Sequence, residues 1–379
     1  MTFSADDQRF MAQALQLAER GLYTTTPNPR VGCVIVKDGQ VIGEGWHEKA
    51  GGPHAEVVAL NDAAAHGLTA VGATAYVTLE PCSHTGRTPP CAQALIRAGV
   101  ARVVAAMQDP NPLVAGQGLA RLNAAGIATA CGLLGDEAHE LNIGFVARMT
   151  RGKPWVRLKI AASLDGKTAL QNGVSQWITS PAARQDVHQW RARSCAVLTG
   201  IGTVLADNPQ LNVRGVRTPR QPCKVLVDSQ LQTPPDAAVL NHTNAQPQVL
   251  IVCATAHPGR RQHLESAGAE VLPLPNRHGQ VDLPALFAEL GRRGMNEILI
   301  EAGARLNGAL ISAACVDELL LYQAPVLLGD SARGMWHDGG NVLTDLAATP
   351  RLNIIEHRII SAVPRDTASD NLFTRARFL

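Results

Sequence analysis

The apolar positions in the first half of the chain change from a helical period to a strand period. Apolar residues recur at helical spacing from Phe10 to Ala18, Gly21 ends this predicted helix, and Asp6 or Asp7 can cap its start. In chain order, the elements predicted next are strands at 31–37 and 41–45 around an Asp-Gly turn, a helix at 54–66, a strand at 73–79, a helix at 91–98, a strand at 101–106, and helices at 118–125 and 136–149. A hairpin followed by alternating strands and helices predicts a layered α/β domain with a mixed sheet.

A change of pattern at residues 151–154 marks a domain boundary. The Arg-Gly-Lys-Pro sequence there precedes a new strand at 155–161, in which apolar residues alternate with Arg157 and Lys159. Later strands are predicted at 196–199, 224–228, 249–253, 297–301 and 318–323, with helices between several of them and a connecting loop at 234–248. We therefore predict two α/β domains, at residues 1–150 and 151–379.

Composition restricts the classes of protein to which the chain can belong. At 379 residues it is longer than one ordinary domain, and a hydrophobic content of 46% provides material for folded cores. The net charge is +2, aromatic residues make up 4%, and no basic run is interleaved with aromatics, so no nucleic-acid partner is indicated. The absence of a signal-peptide pattern and of a membrane-length apolar run predicts a cytoplasmic protein without membrane contact. Its eight cysteines are then expected to be reduced, and a grouped set indicates a metal more often than disulfides.

Four residues in two short motifs point to a metal centre. His54 and Glu56 follow Pro53, which favours the start of a helix. Residues two apart point about 200° apart around a helix, so His54 and Glu56 share one small site only if it lies at the helix end. Cys82 follows a predicted strand, and Cys91 begins the next predicted helix. Two strand–helix junctions can therefore bring one imidazole and two thiolates to one point.

This donor set has the chemistry of a catalytic zinc. Three protein ligands leave the fourth tetrahedral position for water, whereas a structural zinc is closed by four protein ligands. Glu56 is then the proton carrier of a deaminase and not a ligand. Zinc nucleobase deaminases carry His-x-Glu followed by Pro-Cys-x-x-Cys, but eight residues separate the two cysteines here. A structural zinc with His84 as fourth ligand is the alternative interpretation, although a structural site does not require a proton carrier such as Glu56.

The other thiols and imidazoles are predicted to have no part in the chemistry. A lone cysteine is usually a small buried hydrophobic residue. This interpretation is given to Cys33, Cys131, Cys195, Cys223, Cys253 and Cys315. Lone histidines are usually polar surface residues, and this interpretation is given to His66, His139 and His257.

The second half contains two glycine turns but no dinucleotide-binding fingerprint. No Gly-x-Gly-x-x-Gly follows its first strand, so a standard Rossmann fold is not indicated. The turns at 199–203 and 301–306 each follow a predicted strand, and the second leads into a helix that begins near Arg305. Backbone amides at such a turn can bind a phosphate. Taken alone, each is more often a tight turn than a cofactor site.

Longer motifs around these residues resemble those of the bifunctional riboflavin-biosynthesis deaminase–reductases. In the first half they are the segments at 26–32, 53–57, 79–91 and 107–112, with the sequences TPNPRVG, PHAEV, LEPCSHTGRTPPC and MQDPNP. In the second half they are the segments at 162–169 and 175–180, with the sequences ASLDGKTA and SQWITS. The resemblance covers nearly the whole chain, and the long spacing between the two cysteines is typical of this family.

The resemblance implies two folds and two reactions. The first domain is expected to have a cytidine-deaminase-like α/β/α layered fold, and the second a dihydrofolate-reductase-like α/β fold. With Zn²⁺ as cofactor, water is expected to replace the 2-amino group of the small-molecule substrate 2,5-diamino-6-(5-phosphoribosylamino)pyrimidin-4-one. NADPH is then expected to reduce the ribosylamino side chain to ribitylamino. A homodimer or higher homo-oligomer through the second domain is also expected from the family.

The resemblance also implies site residues. For the cofactor they are Ala161, Trp177, Thr203, Asp207, Ser229, Gly303, Ala304, Arg305 and Leu306, and for the substrate they are Ser175, Arg191, Leu211, Arg214 and Glu301. Arg191 and Arg214 suit a phosphate clamp because a guanidinium pairs phosphate oxygens in a fork, with a surface ion pair as the alternative. In the first half, His84 and Arg87 are candidate contacts to the ribose phosphate, and Asn28 to the base. A solvated loop and a simple turn are the alternatives for these three.

The zinc motif is also compatible with two other functions. An RNA- or DNA-base deaminase with an α/β appendage would share the zinc motif, but it would need a basic, aromatic-rich groove. A zinc-stabilised interaction module would need the ligands but not Glu56. The sequence indicates no general acid for the reductive step, and no reason for a preference of NADPH over NADH.

Overall fold

A computed structural model of the chain describes residues 3–83, 90–112, 114–241, 249–255, 257–337, 339–340, 344–361 and 370–379. The chain forms two compact units, Met1–Gly152 and Lys153–Leu379. Across the described ranges, no helix combines the length and the apolar character that crossing a membrane requires.

The described part of the first unit places helices around a five-stranded sheet. Its elements are α1 (Ala5–Glu19), β1 (Gly32–Lys37), β2 (Gln40–Trp46), α2 (Ala55–Ala65), β3 (Thr74–Val77), α3 (Cys91–Ala98), β4 (Arg102–Ala105), α4 (Gln117–Ala124), β5 (Ala128–Cys131), α5 (Gly135–Leu141) and α6 (Ile143–Arg151). The strand order is β2-β1-β3-β4-β5. Strand β1 is antiparallel to β2 and β3, and β3, β4 and β5 are parallel, so the sheet is mixed as predicted.

Alternate residues of each strand enter two different cores. Cys33 and Ile35 of β1 pack with residues of α2, α3 and α4. Val34 and Val36 of the same strand pack with residues of α1 and α5 on the other face. A strand directs successive side chains to opposite faces, so this alternation produces helix, sheet and helix layers. The α/β/α fold expected for the first unit is confirmed.

Ser4, and neither Asp6 nor Asp7, caps α1. The Ser4 hydroxyl oxygen accepts a hydrogen bond from the Asp7 N–H at 3.0 Å, and the Asp7 carboxylate accepts one from the Ser4 N–H at 2.9 Å. This reciprocal pair is a capping box, in which the acidic residue occupies the third helical position. Tyr76 and Arg102 also donate to Asp7, which ties the start of α1 to the sheet.

The helix predicted at 136–149 is two helices, because the chain turns at Asn142. The Asn142 side chain accepts a hydrogen bond from the Arg30 N–H at 2.7 Å and donates one to the Arg30 carbonyl at 2.9 Å. The backbone at Asn142 leaves the helical region with φ −107° and ψ 16°, so α5 ends and α6 begins there. Strand β5 was not predicted, because it is only four residues long and has only one buried residue.

The second unit has a nine-stranded sheet in its described residues. Its elements are β6 (Trp155–Ser163), β7 (Lys167–Ala169), α7 (Pro181–Arg193), β8 (Ala196–Gly200), α8 (Ile201–Asp207), β9 (Cys223–Val227), β10 (Val249–Cys253), α9 (Pro258–Ser266), β11 (Ala269–Pro273), α10 (Leu283–Arg292), β12 (Glu297–Ile300), α11 (Ala304–Ser312), β13 (Glu318–Ala324), β14 (Arg333–Gly334), β15 (Leu352–Ile360) and β16 (Asn371–Phe378). The order is β11-β10-β9-β8-β12-β6-β13-β16-β15, and β7 pairs separately with β14.

The first seven strands of this order, which begins at β11 and reaches β13, are parallel. Strand β16 pairs antiparallel with β13, and β15 pairs antiparallel with β16. Helices α10 and α11 contribute to the core on one face of the sheet, and α7, α8 and α9 contribute to cores that use the other strand residues. The second unit is therefore an α/β domain, as predicted. In such a sheet, ligands bind beyond the carboxyl ends of the parallel strands.

Several elements of the second unit were missed. They are β7, β11, β14, β15 and β16, of which β15 exposes most of its residues and so carries no clear alternation. The loop predicted at 234–248 contains a short 3₁₀ helix, Ala238–Leu240, and its residues 242–248 lie outside the described ranges. The Lys224 ammonium is buried beneath this segment and donates to the carbonyls of Val239 and Asn241, both at 2.8 Å.

Candidate metal centre and cofactor pocket

The three predicted metal ligands lie at element ends in the first unit. His54 is the N-cap of α2, with extended φ −79° and ψ 161°, and Cys91 is the first residue of α3. Cys82 lies in the segment that continues from β3. Gly45 lets α2 approach β2, because a Cβ there would fall 2.5 Å from the Ala55 carbonyl oxygen. The helix end that carries His54 therefore rests directly on the sheet.

The ligand atoms converge with distances that suit zinc. His54 Nδ1 lies 3.2 Å from Cys91 Sγ and 3.6 Å from Cys82 Sγ, and all three atoms lie within 4.8 Å of one another. Tetrahedral zinc with ordinary bond lengths would separate nitrogen and sulfur by about 3.6 Å, and two sulfurs by about 3.8 Å. The donor set thus fits a zinc ion that keeps one position open. His84 lies outside the described residues, and so does Arg87.

Cys82 is poised as a thiolate. The hydrogen bond from the Cys91 thiol, together with those from His54 and from the Cys91 N–H at 3.3 Å, lowers the pKa of Cys82 to about 4. The Cys82 sulfur in turn raises the pKa of His54. Metal ligation requires deprotonated sulfur, so the first unit supplies one ligand already in the required state.

Glu56 lies beside these ligands without belonging to their cluster. It occupies the first turn of α2 and is 3% exposed. Burial, followed by the negative charge of Cys82, raises the pKa of Glu56 to about 7. A carboxyl group with a pKa near neutrality can both take up and release a proton. Its role as the proton carrier stays a prediction, which this position and this pKa support.

His47 was missed by the sequence reasoning. It is buried, its Nδ1 lies 3.0 Å from the Pro53 carbonyl oxygen, and its Nε2 lies 3.0 Å from Asn28 Nδ2. A carbonyl only accepts, so Nδ1 carries the hydrogen. Because burial lowers the pKa of His47, the ring is neutral and Nε2 accepts from the Asn28 amide. No local motif signals this pairing.

Every residue that was predicted as a cofactor or substrate contact in the second unit lines one large cavity. Its volume is 1520 Å³. The predicted residues on its wall are Ala161, Ser175, Trp177, Arg191, Thr203, Asp207, Leu211, Arg214, Ser229, Glu301, Gly303, Ala304, Arg305 and Leu306. They come from the carboxyl ends of β6, β8, β9 and β12 and from the segments that follow. Their division between cofactor and substrate stays a prediction.

The two glycine turns lie side by side at the entrance of two helices. Gly200 is the N-cap of α8 and Gly303 is the N-cap of α11. A Cβ on Gly303 would fall 4.0 Å from the Thr203 hydroxyl oxygen, so the turns are neighbours in space. Backbone amides at such helix starts favour an anionic group, which supports the phosphate interpretation over that of isolated tight turns.

Charged groups surround Glu301 in this cavity. Arg191 donates to both Glu301 oxygens, at 2.5 and 3.0 Å, and Lys159 Nζ lies 3.9 Å from Glu301. Burial alone would raise the pKa of Glu301, but the charges of Arg191 and Lys159 lower it to about 2. Burial also lowers the pKa of Lys159. The Arg191 fork is thus engaged with Glu301, while Arg214 is exposed and donates to the Asn212 side chain at 2.5 Å. The predicted phosphate clamp of Arg191 and Arg214 stays a prediction.

Lys159 and His188 also line the cavity and were not predicted as site residues. A signal for Lys159 was present, since it is a charged residue in the middle of a strand that is otherwise largely apolar. His188 lies on α7, and its Nδ1 accepts from the Arg214 N–H at 3.2 Å. Arg157, the other charged residue of the same strand, is fully buried and pairs with Glu297 and Glu318 instead.

Among the cysteines given a structural interpretation, Cys33 and Cys253 are buried as predicted. Cys195, Cys223 and Cys315 are half-buried, whereas Cys131 is exposed because β5 is an edge strand. The histidines at positions 66, 139 and 257 are exposed, as predicted.

The fold and the two sites define a zinc deaminase domain joined to an α/β domain with a cofactor-sized cavity. Residues 4–107 match the cytidine and deoxycytidylate deaminase zinc-binding region, and residues 154–362 match the RibD C-terminal domain. Riboflavin biosynthesis protein RibD of Escherichia coli K12 is 50% identical over 93% of this chain and 96% of its own length, and that of Haemophilus influenzae is 49% identical over 94% and 96%. The chain belongs to the RibD family of riboflavin-biosynthesis enzymes.

Solved structures agree over the full length. Acinetobacter baumannii RibD, form 1, superposes with a TM-score of 0.87 at 44% identity, covering 99% of each chain. A Thermotoga maritima structure described as a diaminohydroxyphosphoribosylaminopyrimidine deaminase/5-amino-6-(5-phosphoribosylamino)uracil reductase has a TM-score of 0.85 at 31% identity, again covering 99% of each chain.

These comparisons confirm the predicted class of enzyme. The chain is a bifunctional deaminase and reductase that acts on a small molecule, and its first unit belongs to a zinc-binding deaminase family. They give no support to the two alternatives, a nucleic-acid base deaminase with an unrelated appendage and a zinc-stabilised interaction module, because both family domains are enzymatic and span the two units.

Proposed function

We propose that the first unit hydrolyses the 2-amino group of 2,5-diamino-6-(5-phosphoribosylamino)pyrimidin-4-one, and that the second unit reduces the ribosylamino group of the product to ribitylamino with NADPH. The observation that supports this most directly is the convergence of His54, Cys82 and Cys91 beside the buried carboxyl group of Glu56. The name of the Thermotoga relative, which states both activities in this order, is consistent with the proposal.

In the deaminase site, each protein group has a defined task. When bound, zinc supplies a Lewis acid that makes a water molecule nucleophilic at neutral pH. Glu56 takes a proton from that water, delivers it to a ring nitrogen of the pyrimidine, and carries a further proton to the departing ammonia. The first turns of α2 and α3 face the negative charge of the thiolates, which their positive helix ends stabilise.

In the reductase site, the chain must hold a dinucleotide and supply one proton. Reduction breaks the bond from carbon 1 of the ribosyl ring to the ring oxygen, adds a hydride from the nicotinamide at that carbon, and adds a proton at that oxygen. Lys159 is the proposed proton donor, because it lines the cavity and burial lowers its pKa. The turns at Gly200 and Gly303 are the proposed pyrophosphate contacts, and the exposed Arg214 is the proposed contact to the substrate phosphate.

Each unit carries one activity, with the boundary near residue 150, and the enzyme works in the cytoplasm. A second copy of the chain is proposed to pack on the second unit, where the edge strand β15 exposes Ile354 and Ile359 at 63% and 65%. Light scattering on the purified chain measures this directly, since a monomer at micromolar concentration contradicts the homodimer or higher homo-oligomer.

The decisive experiment follows ammonia and NADPH in one sample. The zinc-loaded chain is given the pyrimidine phosphate without NADPH, and ammonia release is expected. NADPH added afterwards is expected to be oxidised, whereas NADPH added together with the undeaminated substrate and a metal-stripped chain is expected to persist. Oxidation in that second sample would refute the proposed order, and failure to bind any nicotinamide cofactor would refute the proposed reductase site.

A further inference from the structure

Glu80 is a buried carboxylate of the deaminase unit that takes no part in the proposed chemistry. It is 5% exposed and lies two residues before the ligand Cys82. Its Oε2 accepts hydrogen bonds from the N–H groups of Asp109 at 3.1 Å and Gly116 at 2.8 Å. Its Oε1 accepts from those of Gly118 at 2.8 Å and Leu119 at 3.2 Å. Four such bonds occupy the acceptor positions of one carboxylate.

Two of these bonds place Glu80 at the start of α4. Gly118 and Leu119 lie in its first turn, where backbone N–H groups have no partner within the helix. A carboxylate at this position satisfies them and is favoured by the positive end of the helix. The residue before the helix, Gly116, has a φ of +78° and offers no side-chain cap. Glu80 therefore supplies from a distant part of the chain the cap that the local sequence lacks.

Helix α4 in turn contacts the backbone on both sides of Cys82. A Cβ on Gly118 would fall 1.9 Å from the Pro81 carbonyl oxygen, so only glycine permits this approach. One turn later, Arg121 Nη1 donates to the Ser83 carbonyl at 3.1 Å. Residues three apart share a helix face. A single face of α4 thus holds the residue before the metal ligand and the residue after it.

The same arginine extends the contact to the second cysteine. Arg121 Nη2 donates to the Gln93 side chain at 2.8 Å, and Gln93 lies in the first turn of α3, which begins at Cys91. The Cys82 carbonyl also accepts from the Ala92 N–H at 3.1 Å. Eight residues separate the two cysteines, too many for one tight turn to fix both sulfurs. Their separation is held by α3 and α4 instead.

We propose that Glu80 is a positioning residue for the metal site. By capping α4 it fixes the helix face against residues 81–83, and this sets the Cys82 sulfur at ligand distance from Cys91 and His54. Glu80 touches neither the metal ligands nor the reacting atoms. The inference rests on the proposed zinc-dependent function of the first unit and adds the residue that determines how tightly the ion is held.

The test is the zinc affinity of the full-length variant Glu80→Gln, measured by competition with a chromophoric chelator. The amide is isosteric, but its NH₂ group faces two of the backbone N–H groups and cannot accept from them. We expect zinc to bind about tenfold more weakly, as for other groups that support metal ligands indirectly. Excess zinc is expected to restore kcat for deamination, because every ligand and Glu56 are intact.

Two controls separate positioning from general weakening of the unit. Tyr76→Phe removes a hydrogen bond to Asp7 in the same unit and is expected to lower the unfolding temperature without changing zinc affinity. If Glu80→Gln does not fold, Arg121→Ala replaces it, with Arg97→Ala as its match. Arg97 is an exposed arginine of α3 that donates to the Gln93 carbonyl and has no described bond to Ser83. We expect weaker zinc binding for Arg121→Ala only.

A folded Glu80→Gln chain with wild-type zinc affinity would overturn the inference. So would a Tyr76→Phe chain that loses zinc to the same extent, or equal affinities for the two arginine variants when these decide the test. A wild-type chain that binds no zinc would overturn the proposed function instead, which keeps the two failures distinguishable.

Discussion

At the scale of single residues, Glu56 combines burial with a neighbouring negative charge on one carboxyl group. Replacing it with Gln keeps the shape of the side chain but removes its ability to take up and release a proton. We expect Glu56→Gln to lower kcat for ammonia release by a factor of about 10² to 10⁴, with zinc content unchanged. Ammonia release and metal analysis on the same preparation measure both quantities.

Asp62→Asn is the matched control, because Asp62 is a carboxylate of the same helix that accepts from the Glu44 N–H and lies away from the metal ligands. Its deamination rate is expected to stay close to that of the wild type. Normal turnover in Glu56→Gln would contradict the assigned role, and loss of zinc would show that Glu56 holds the ion.

His188 gives the second unit a defined pH dependence. Burial, followed by the charges of Arg191 and Arg214, lowers its pKa from 6.5 to about 4. Between these pH values the unfolded chain binds a proton that the folded chain does not. The unfolding free energy therefore decreases as the pH falls from 6.5 towards 4. We expect His188→Gln to show a smaller loss of unfolding free energy over that interval, measured by urea denaturation at pH 7, 5.5 and 4. Parallel curves for the two chains would contradict this.

The convergence of His54, Cys82 and Cys91 was predictable because these residues belong to short motifs at element ends. Pro53 marks the start of α2, and the prolines before Cys91 mark the start of α3. His47 was not predictable, since its role depends on a bond to Asn28 that the fold brings about. Lys159 was visible only as a polar residue in a strand, and the same pattern at Arg157 led to a buried ion pair instead.

At the scale of elements, the close approach of α2 to β2 positions the deaminase site. A Cβ at Gly45 would lie 2.5 Å from both the Ala55 carbonyl oxygen and the Ala59 nitrogen. We expect Gly45→Ala to push α2 away, to cost about 1–3 kcal/mol of stability in the first unit, and to weaken zinc binding. Calorimetry and metal analysis measure the two effects, and NADPH oxidation with the deaminated product is expected to be normal.

Ala64→Ser, on the exposed side of the same helix, is the control for Gly45→Ala and is expected to change neither quantity. A Gly45→Ala chain with normal zinc content and stability would show that the helix tolerates the displacement.

Strands were predicted where they are largely buried and missed where most of their residues are exposed. The strands β1 and β3 contribute to the cores on both faces of the sheet, so each is visible in the sequence as a short, nearly continuous apolar run. Strand β15 is exposed along most of its length because it forms the edge of the nine-stranded sheet. Its place depends on pairing with β16, which no local pattern reveals. The break between α5 and α6 likewise depends on Arg30, far away in sequence.

At the scale of the whole molecule, each unit has its own sheet and its own cores. Removing zinc should therefore act on one activity. We expect dialysis against a chelator to abolish ammonia release and to leave NADPH oxidation with the deaminated product within about twofold of its original rate, since the second unit is folded without the metal centre. Adding zinc back is expected to restore deamination.

A parallel loss of both activities on chelation would contradict this independence and would show that the reductase unit depends on the metal centre for its structure.

The mixed sheet of the first unit and the α/β character of the second were both predictable, because strands and helices alternate along the chain. The nine-strand order was not, since it requires pairing between β6 and β12, which are far apart in sequence.

The acidic thiol of Cys82 has a practical consequence for handling the enzyme. With a pKa of about 4, an uncovered Cys82 is nucleophilic in mildly acidic buffer, where buried thiols such as Cys33, whose pKa is raised, are protonated and inert. A bound ion shields the sulfur. Alkylation by iodoacetamide near pH 6 would accordingly mark empty molecules and spare loaded ones, so a mass spectrum would report what fraction of a preparation is complete.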